Sequence, residues 1–284
     1  MTDLASLIAD ARTTLARPDL ADAKLEGLIR AGRFESPRRL ACRAPSTGIL
    51  KAPEPGAEQQ DQLLLGETFD VLESADGWAW GQARRDGYVG YVRQDALAKA
   101  EAAPTHRVRA LRTFGFSRPD LKSPLLAAYS MNALVVIEGE ENGFLNAGAA
   151  GWIFARHLAA MDAFETDPAG VAERFVGTPY LWGGRESLGL DCSGLVQQAF
   201  YACGRACPRD TDQQLEAFPD PASKDALTRG DLVFWKGHVA MMLDGERMVH
   251  ANGHHLATVV EPLAEAVARI RAAGAGGPTG FRRP

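Results

Sequence analysis

Cys192 sits between Asp191 and Ser193-Gly194, at the start of a run in which Leu195, Val196, Ala199, Phe200 and Cys203 recur at helical spacing and Gly204 supplies a left-handed stop. This predicts a helix with Cys192 on its first turn. Unpaired amides and the positive end of the helix dipole there favour thiolate over thiol, the form that attacks a carbonyl. A nucleophile needs a base, and His238 is the candidate, because it opens the second of two apolar strands divided by Lys236-Gly237. Asp244-Gly245 then marks a hairpin, with residues 246–251 as the return strand. If the loop is Leu243-Asp244-Gly245, Met242 pairs with Glu246 and His238 lies directly opposite His250. Their β-carbons are then ~5 Å apart, and His250 can hydrogen-bond His238 and fix its tautomer. A two-residue loop would put the two rings on opposite faces.

Each residue has a plainer reading. Cys192 could be a buried thiol and His238 a satisfied strand-end histidine. Asp191 could simply cap the helix, and Ser193 could simply occupy its first turn. His254 and His255 read as loop residues, and His106 and His157 as incidental. Cys203 and Cys207 have no second pair of ligands at zinc-like spacing, so buried thiols are expected rather than a metal site, and Cys42 reads as structural.

The elements that must hold this chemistry are spread over 284 residues, 46% hydrophobic and 24% charged, enough for two or three domains. A net charge of −5 makes nucleic acid and anionic membrane unexpected partners. No apolar run approaches the ~20 residues that span a bilayer. Residues 1–10 carry neither a basic leader nor an uninterrupted apolar core, so the expected compartment is the cytoplasm, or the periplasm if a leader was removed. A reducing setting also suits an unpaired nucleophilic thiol.

A weak internal repeat precedes the catalytic part. Phe69-Asp70-Val71-Leu72-Glu73 leads to Asp76-Gly77-Trp78 and on to Gly90-Tyr91-Val92, as Leu134-Val135-Val136-Ile137-Glu138 leads to Asn142-Gly143-Phe144 and on to Gly151-Trp152-Ile153. The second copy lacks the Asp86-Gly87-Tyr88 turn. Short strands with Asp-Gly and Asn-Gly punctuation predict two small β-barrels, with Trp78, Trp80, Tyr91 and Trp152 in their cores. Helix formers interrupted by Arg17-Pro18-Asp19 predict two short helices within residues 4–32. The expected division is a helical segment over 1–35, a first barrel over 36–100, a second over 103–162 and the catalytic domain over 165–284.

Five blocks, in order, resemble the NlpC-type cell-wall cysteine peptidases, a papain-like family: Pro179-Tyr180-Leu181-Trp182-Gly183-Gly184, Asp191-Cys192-Ser193-Gly194, Pro208-Arg209-Asp210-Thr211, Gly230-Asp231-Leu232 and Gly237-His238-Val239-Ala240-Met241. The resemblance implies an α+β papain-like domain behind two bacterial SH3-like barrels, needing no cofactor. It assigns Cys192 as nucleophile, His238 as base and His250 as its orienting partner. In relatives with this layout the first barrel abuts the cleft and recognises a free N-terminal L-alanine, and the implied substrate is a peptidoglycan stem cut between γ-D-glutamate and a diamino acid. Asp191, Ser193 and Tyr88 match positions that contact substrate in that group. Glu67 and Thr211 are further candidates, and Trp182 is expected against the nucleophile helix. An amidase or acyltransferase on the same scaffold, or a non-catalytic wall-binding protein, are the other readings.

Overall fold

The two tips that define the repeat fold as two-residue reversals. Asp76 and Gly77 have φ of 51° and 81°, and Asn142 and Gly143 have 50° and 75°. Positive φ at both central residues is the type I′ requirement, which Asp-Gly and Asn-Gly meet at little steric cost. The chain is seen in a computed structural model, which describes residues 10–100 and 102–284. Each copy also ends alike: a 3₁₀ turn, Gln94–Ala96 or Ala155–His157, leads into a closing strand, Leu97–Ala98 or Leu158–Ala160.

In the first barrel the strand order is Gln59–Leu64, Ser46–Leu50, Val89–Arg93, Trp78–Ala83, Thr68–Ala75, Arg38–Cys42, Leu97–Ala98. Its core holds Ile49, Leu63, Phe69, Val71, Ala79, Ala83 and Val92. The tryptophans are not in that core. Along Trp78–Ala83 the small residues Ala79 and Ala83 point inward, so the alternation turns Trp78 and Trp80 outward. Trp80 is covered there by Leu15 and Leu20 of the N-terminal segment, with Arg17 stacked on its ring. Burying each such leucine contributes about 1.5–3 kcal/mol.

That segment is not helical among the described residues. Over 10–32 it forms turns, an Ala16–Ala21 bridge and a single 3₁₀ turn at Ala23–Leu25. Backbone hydrogen bonds to the barrel, such as Val89 N–H to the Arg12 carbonyl at 2.7 Å, replace those a helix would have used. The expectation for residues 4–9 lies outside the described residues.

The second barrel combines a three-stranded and a five-stranded sheet around Val108, Tyr129, Val135, Ile153 and Leu158; Trp152 is only half-buried. The last part carries helices α1 (Pro168–Glu173), α2 (Cys192–Ala202), α3 (Thr211–Ala217) and α4 (Leu263–Ala272) around an antiparallel sheet. The strand order is Ala257–Pro262, Arg247–Asn252, His238–Met242, Leu232–Trp235, Gly280–Arg282. Alternation divides its faces: Val239, Met241 and Val249 share a core with α2, while Ala240, Met242 and Met248 pack with Ala266 of α4. Every residue of α2 is buried, Gln197 and Gln198 included. Its polar side is covered by the barrels: Asn132 donates to Gln198 at 2.6 Å and Gln197 to Asp86 at 3.2 Å.

Candidate active site

Cys192 is the first residue of α2, and Gly204, at φ 71°, ends the helix in the left-handed conformation. Asp191 is the N-cap and accepts from Gly194 N–H at 2.8 Å and Gly183 N–H at 2.9 Å. A side chain at Gly194 would collide with the Gly184 carbonyl, so the turn before the nucleophile can lie against the helix only with glycine there. The thiol is almost fully buried and shares its core with Val239, the residue after His238.

Burial pushes the Cys192 thiol up to about 12, with the Asp191 charge adding to the effect. Burial also pulls His238 down to about 3, with His250 next in weight. Burial thus works against the thiolate that the helix dipole favours, because desolvation in this enclosed site disfavours the charged form of both groups.

The hairpin register differs from the expected one. Met241 pairs with Val249 and Met242 with Met248, two residues along from the predicted pairing, because Asp244 caps the turn through Glu246 and Arg247 N–H. A slip of two preserves the facing of every side chain, whereas a slip of one would have reversed it. The rings still meet diagonally, with His238 Nε2 2.8 Å from His250 Nδ1.

Beyond them stands a residue the sequence reading missed. Glu261, on the neighbouring strand, lies 2.6 Å from His250 Nε2 and is ion-paired with Arg269 of α4. Nε2 also has the Asn252 amide nitrogen at 3.0 Å, but the Glu261 carboxylate, closer and accepting only, favours the proton on Nε2, with Nδ1 accepting from His238 Nε2–H. His238 Nδ1 is then left with the free lone pair a base requires.

The Cys192 cleft encloses about 300 Å³ and is walled by both the catalytic part and the first barrel. Tyr88 buries its ring in the barrel core and presents its hydroxyl to the cleft, donating to Asp210 at 3.3 Å. Thr211 lines the opposite wall. Asp191 and Ser193 reach the cleft, but the Asp191 oxygens already accept from Gly183, Gly194, Ser193 and Arg209. Trp182 is 60% exposed and points its Nε1–H to Glu58 at 3.0 Å, so it lines the cleft instead of packing on α2. Glu67 is not at the cleft. It is 2% exposed and paired with Arg185 and Arg85, while Glu58, from the same barrel, takes the cleft position.

Glu67 instead belongs to a buried ionic chain that runs from the first barrel to the cap of α2. Arg85 pairs with Glu67 at 2.7 Å, Glu67 with Arg185, and Arg185 with Asp61 at 3.0 Å. Asp61 then pairs with Arg209 at 2.8 Å, and Arg209 with the helix cap Asp191 at 2.6 Å. Asp61, Arg185 and Arg209 are all essentially inaccessible to water. All four cysteines are unpaired, and no metal-binding cluster occurs among the described residues.

A buried cysteine at a helix start, packed on an antiparallel sheet that carries a polar chain, defines a papain-like α+β hydrolase carrying SH3-like barrels. Residues 177–273 match the NlpC/P60 family, and residues 49–97 match the bacterial dipeptidyl-peptidase Sh3 domain. The gamma-D-glutamyl-L-lysine dipeptidyl-peptidase of Bacillus subtilis (strain 168) is 30% identical over 218 residues, 68% of this chain and 72% of the relative. Dipeptidyl-peptidase 6 of Lysinibacillus sphaericus is 28% identical over 237 residues, 74% and 86% of the two chains. The crystal structure of an NlpC/P60 family protein from Bacillus cereus ATCC 10987 superposes with a TM-score of 0.73 at 19% identity, covering 87% of this chain and 99% of that one, and so shows the shared fold. The chain belongs to the NlpC/P60 family of peptidoglycan-hydrolysing peptidases. No helix among the described residues is long and apolar enough to cross a membrane.

Proposed function

We propose that this protein is a cysteine endopeptidase that hydrolyses the bond between γ-D-glutamate and the diamino acid in peptidoglycan stem peptides bearing a free N-terminal L-alanine. The observation that carries the reading is a buried thiol at the head of α2, which packs on the strand opening with His238, together with the His238–His250–Glu261 chain and a cleft lined by Cys192 whose far wall is Tyr88 and Glu58 of the first barrel. The name of the Bacillus subtilis relative supports the substrate class, and that of the Lysinibacillus sphaericus relative supports a dipeptidyl-peptidase. The three buried clusters support a division into barrels over 36–100 and 103–162 and a catalytic domain over 165–284.

In this mechanism His238 Nδ1 takes the Cys192 proton as the sulfur attacks the γ-carbonyl, so charge develops only as the carbon–sulfur bond forms. Collapse of the tetrahedral intermediate expels the diamino acid's α-amine, which leaves with the proton from His238. Water, deprotonated by His238, then attacks the thioester and releases the dipeptide and the thiol. The Cys192 N–H stabilises the oxyanion, and the Tyr180 hydroxyl, on the cleft wall with Cys192, is the second donor. Each such donor is worth about 3 kcal/mol. The substrate ammonium sits against Tyr88, Glu58 and Asp210, while Asp191 and Ser193 fix the helix start behind it. Four unpaired thiols suit a reducing compartment, where stem peptides freed from sugar are recycled.

The test is to incubate the protein with L-Ala-γ-D-Glu-diaminopimelate, with its L-lysine counterpart and with N-acetylated forms of both, beside Cys192→Ala. Release of L-Ala-D-Glu from the free peptides, and its loss in the variant, is the expected result. Equal rates on free and acetylated peptides would remove the terminal-amine reading. Products of another mass would indicate an amidase or acyltransferase.

A further inference from the structure

The segment ahead of the first barrel also reaches the cleft. Its residues 12 and 13 are tied to the barrel through their carbonyls: that of Arg12 accepts from Val89 N–H at 2.7 Å, and that of Thr13 from the Gln82 side-chain Nε2 at 2.7 Å. The Arg12 guanidinium extends to the opposite wall. Its Nη1 lies 2.8 Å from Asp210 Oδ2 and its Nη2 lies 2.8 Å from Asp212 Oδ2. Asp10 grips the same guanidinium from behind at 2.7 Å and itself accepts from Gln213 of α3 at 2.9 Å. The segment is thus a strap joining both walls of the cleft, with Arg12 beside Tyr88 on the cleft lining. The Asp210 oxygen that receives Arg12 also receives the Tyr88 hydroxyl.

We propose that Arg12, held by Asp10, Asp210 and Asp212, is the end wall of the amino-terminal subsite and sets how far a substrate may extend beyond its first residue. The proposal rests on the assignment of Tyr88 and Asp210 to the substrate ammonium. A free ammonium stops short of the guanidinium and shares the surrounding carboxylates with it. A peptide prolonged by one residue, or acylated, runs into the Arg12 side chain and must break its ion pairs to enter. The barrel wall supplies attraction for the correct terminus, and the strap supplies exclusion of the wrong ones.

The experiment measures kcat/KM of the full chain on L-Ala-γ-D-Glu-L-Lys, on its N-acetyl form and on the same peptide extended by an N-terminal glycine. It compares the wild type with Arg12→Ala and with Asp212→Asn, whose 62% exposed side chain keeps the fold out of question. Arg12→Ala is expected to raise the relative rate on the blocked and extended peptides about tenfold, and Asp212→Asn to raise it less. A merely structural role for Arg12 would lower all three rates together and leave their ratios unchanged. Wild-type ratios in both variants, with selectivity intact in the wild type, would overturn the strap. Absence of selectivity in the wild type itself would instead overturn the ammonium assignment. Should Arg12→Ala fail to fold, Asp212→Asn alone decides.

Discussion

The two barrels arose from the same sequence pattern and close with the same turns, yet they meet the catalytic part by different chemistry. The first joins it through buried charge, from Arg85 and Glu67 through Arg185, Asp61 and Arg209 to the cap of the nucleophile helix, and also lines the cleft with Tyr88 and Glu58. Among the described residues the second makes no buried ion pair with it: Asn132 donates to Gln198, Ser130 accepts the Ser187 N–H, Arg112 donates to Ser187, and Arg109 meets Glu165 at the surface. None of its residues lines the Cys192 cleft. Buried charges are sensitive to loss of a partner and geometrically demanding, so the first barrel is in effect part of the active site, whereas the second supports it.

The contrast is open to attack at several points. Asp61→Ala leaves Arg185 and Arg209 short of a buried anion. It is expected to cost about 3–5 kcal/mol in denaturant unfolding and to lower kcat by disturbing the Asp191 cap; a loss below about 1 kcal/mol would remove the ionic chain as a determinant. Ser130→Ala orphans the buried Ser187 N–H and is expected to cost about 1–3 kcal/mol of stability while kcat/KM holds. A fall in kcat/KM matching that of Asp61→Ala would erase the distinction between the barrels. Tyr88→Phe is expected to reverse that pattern, with unchanged melting and kcat/KM on the free-amine peptide down about fivefold, mostly through KM.

The last prediction concerns pH. His238 and His250 are both pulled down to about 3, chiefly by burial, so the unfolded chain binds their protons more readily than the folded one. Their contribution is complete above about 6.5, the ordinary histidine value, and is lost as pH falls from there toward 3. Thermal melting should fall over that window, and His250→Gln should flatten the fall.

The helix that opens with Cys192 was legible in the sequence because its signals are local: a capping aspartate, a helical apolar period and a glycine stop all lie within fourteen residues. The histidine pair survived a wrong register because facing depends on parity, which a slip of two conserves. Glu261 was not legible, since an acid eleven residues further along looks like any other charge at a strand edge. Glu58 and Glu67 flank the strand Gln59–Leu64, and only the folded barrel decides which turns to the cleft and which to Arg185. Trp78 and Trp80 were assigned to the wrong side of their strand because Trp80's cover, Leu15 and Leu20, comes from a segment whose helix formers predicted another structure. The ionic chain draws on positions 61, 67, 85, 185, 191 and 209, which no local window contains.

The central claim is that Cys192 forms a covalent bond to the substrate within a site completed by the first barrel. Intact-mass analysis of enzyme quenched in acid during turnover of L-Ala-γ-D-Glu-L-Lys tests it most directly. A thioester adduct of the L-Ala-D-Glu acyl group on a peptide containing Cys192, absent from Cys192→Ala along with all product, is the expected result. Cleavage by Cys192→Ala at the wild-type rate would contradict it.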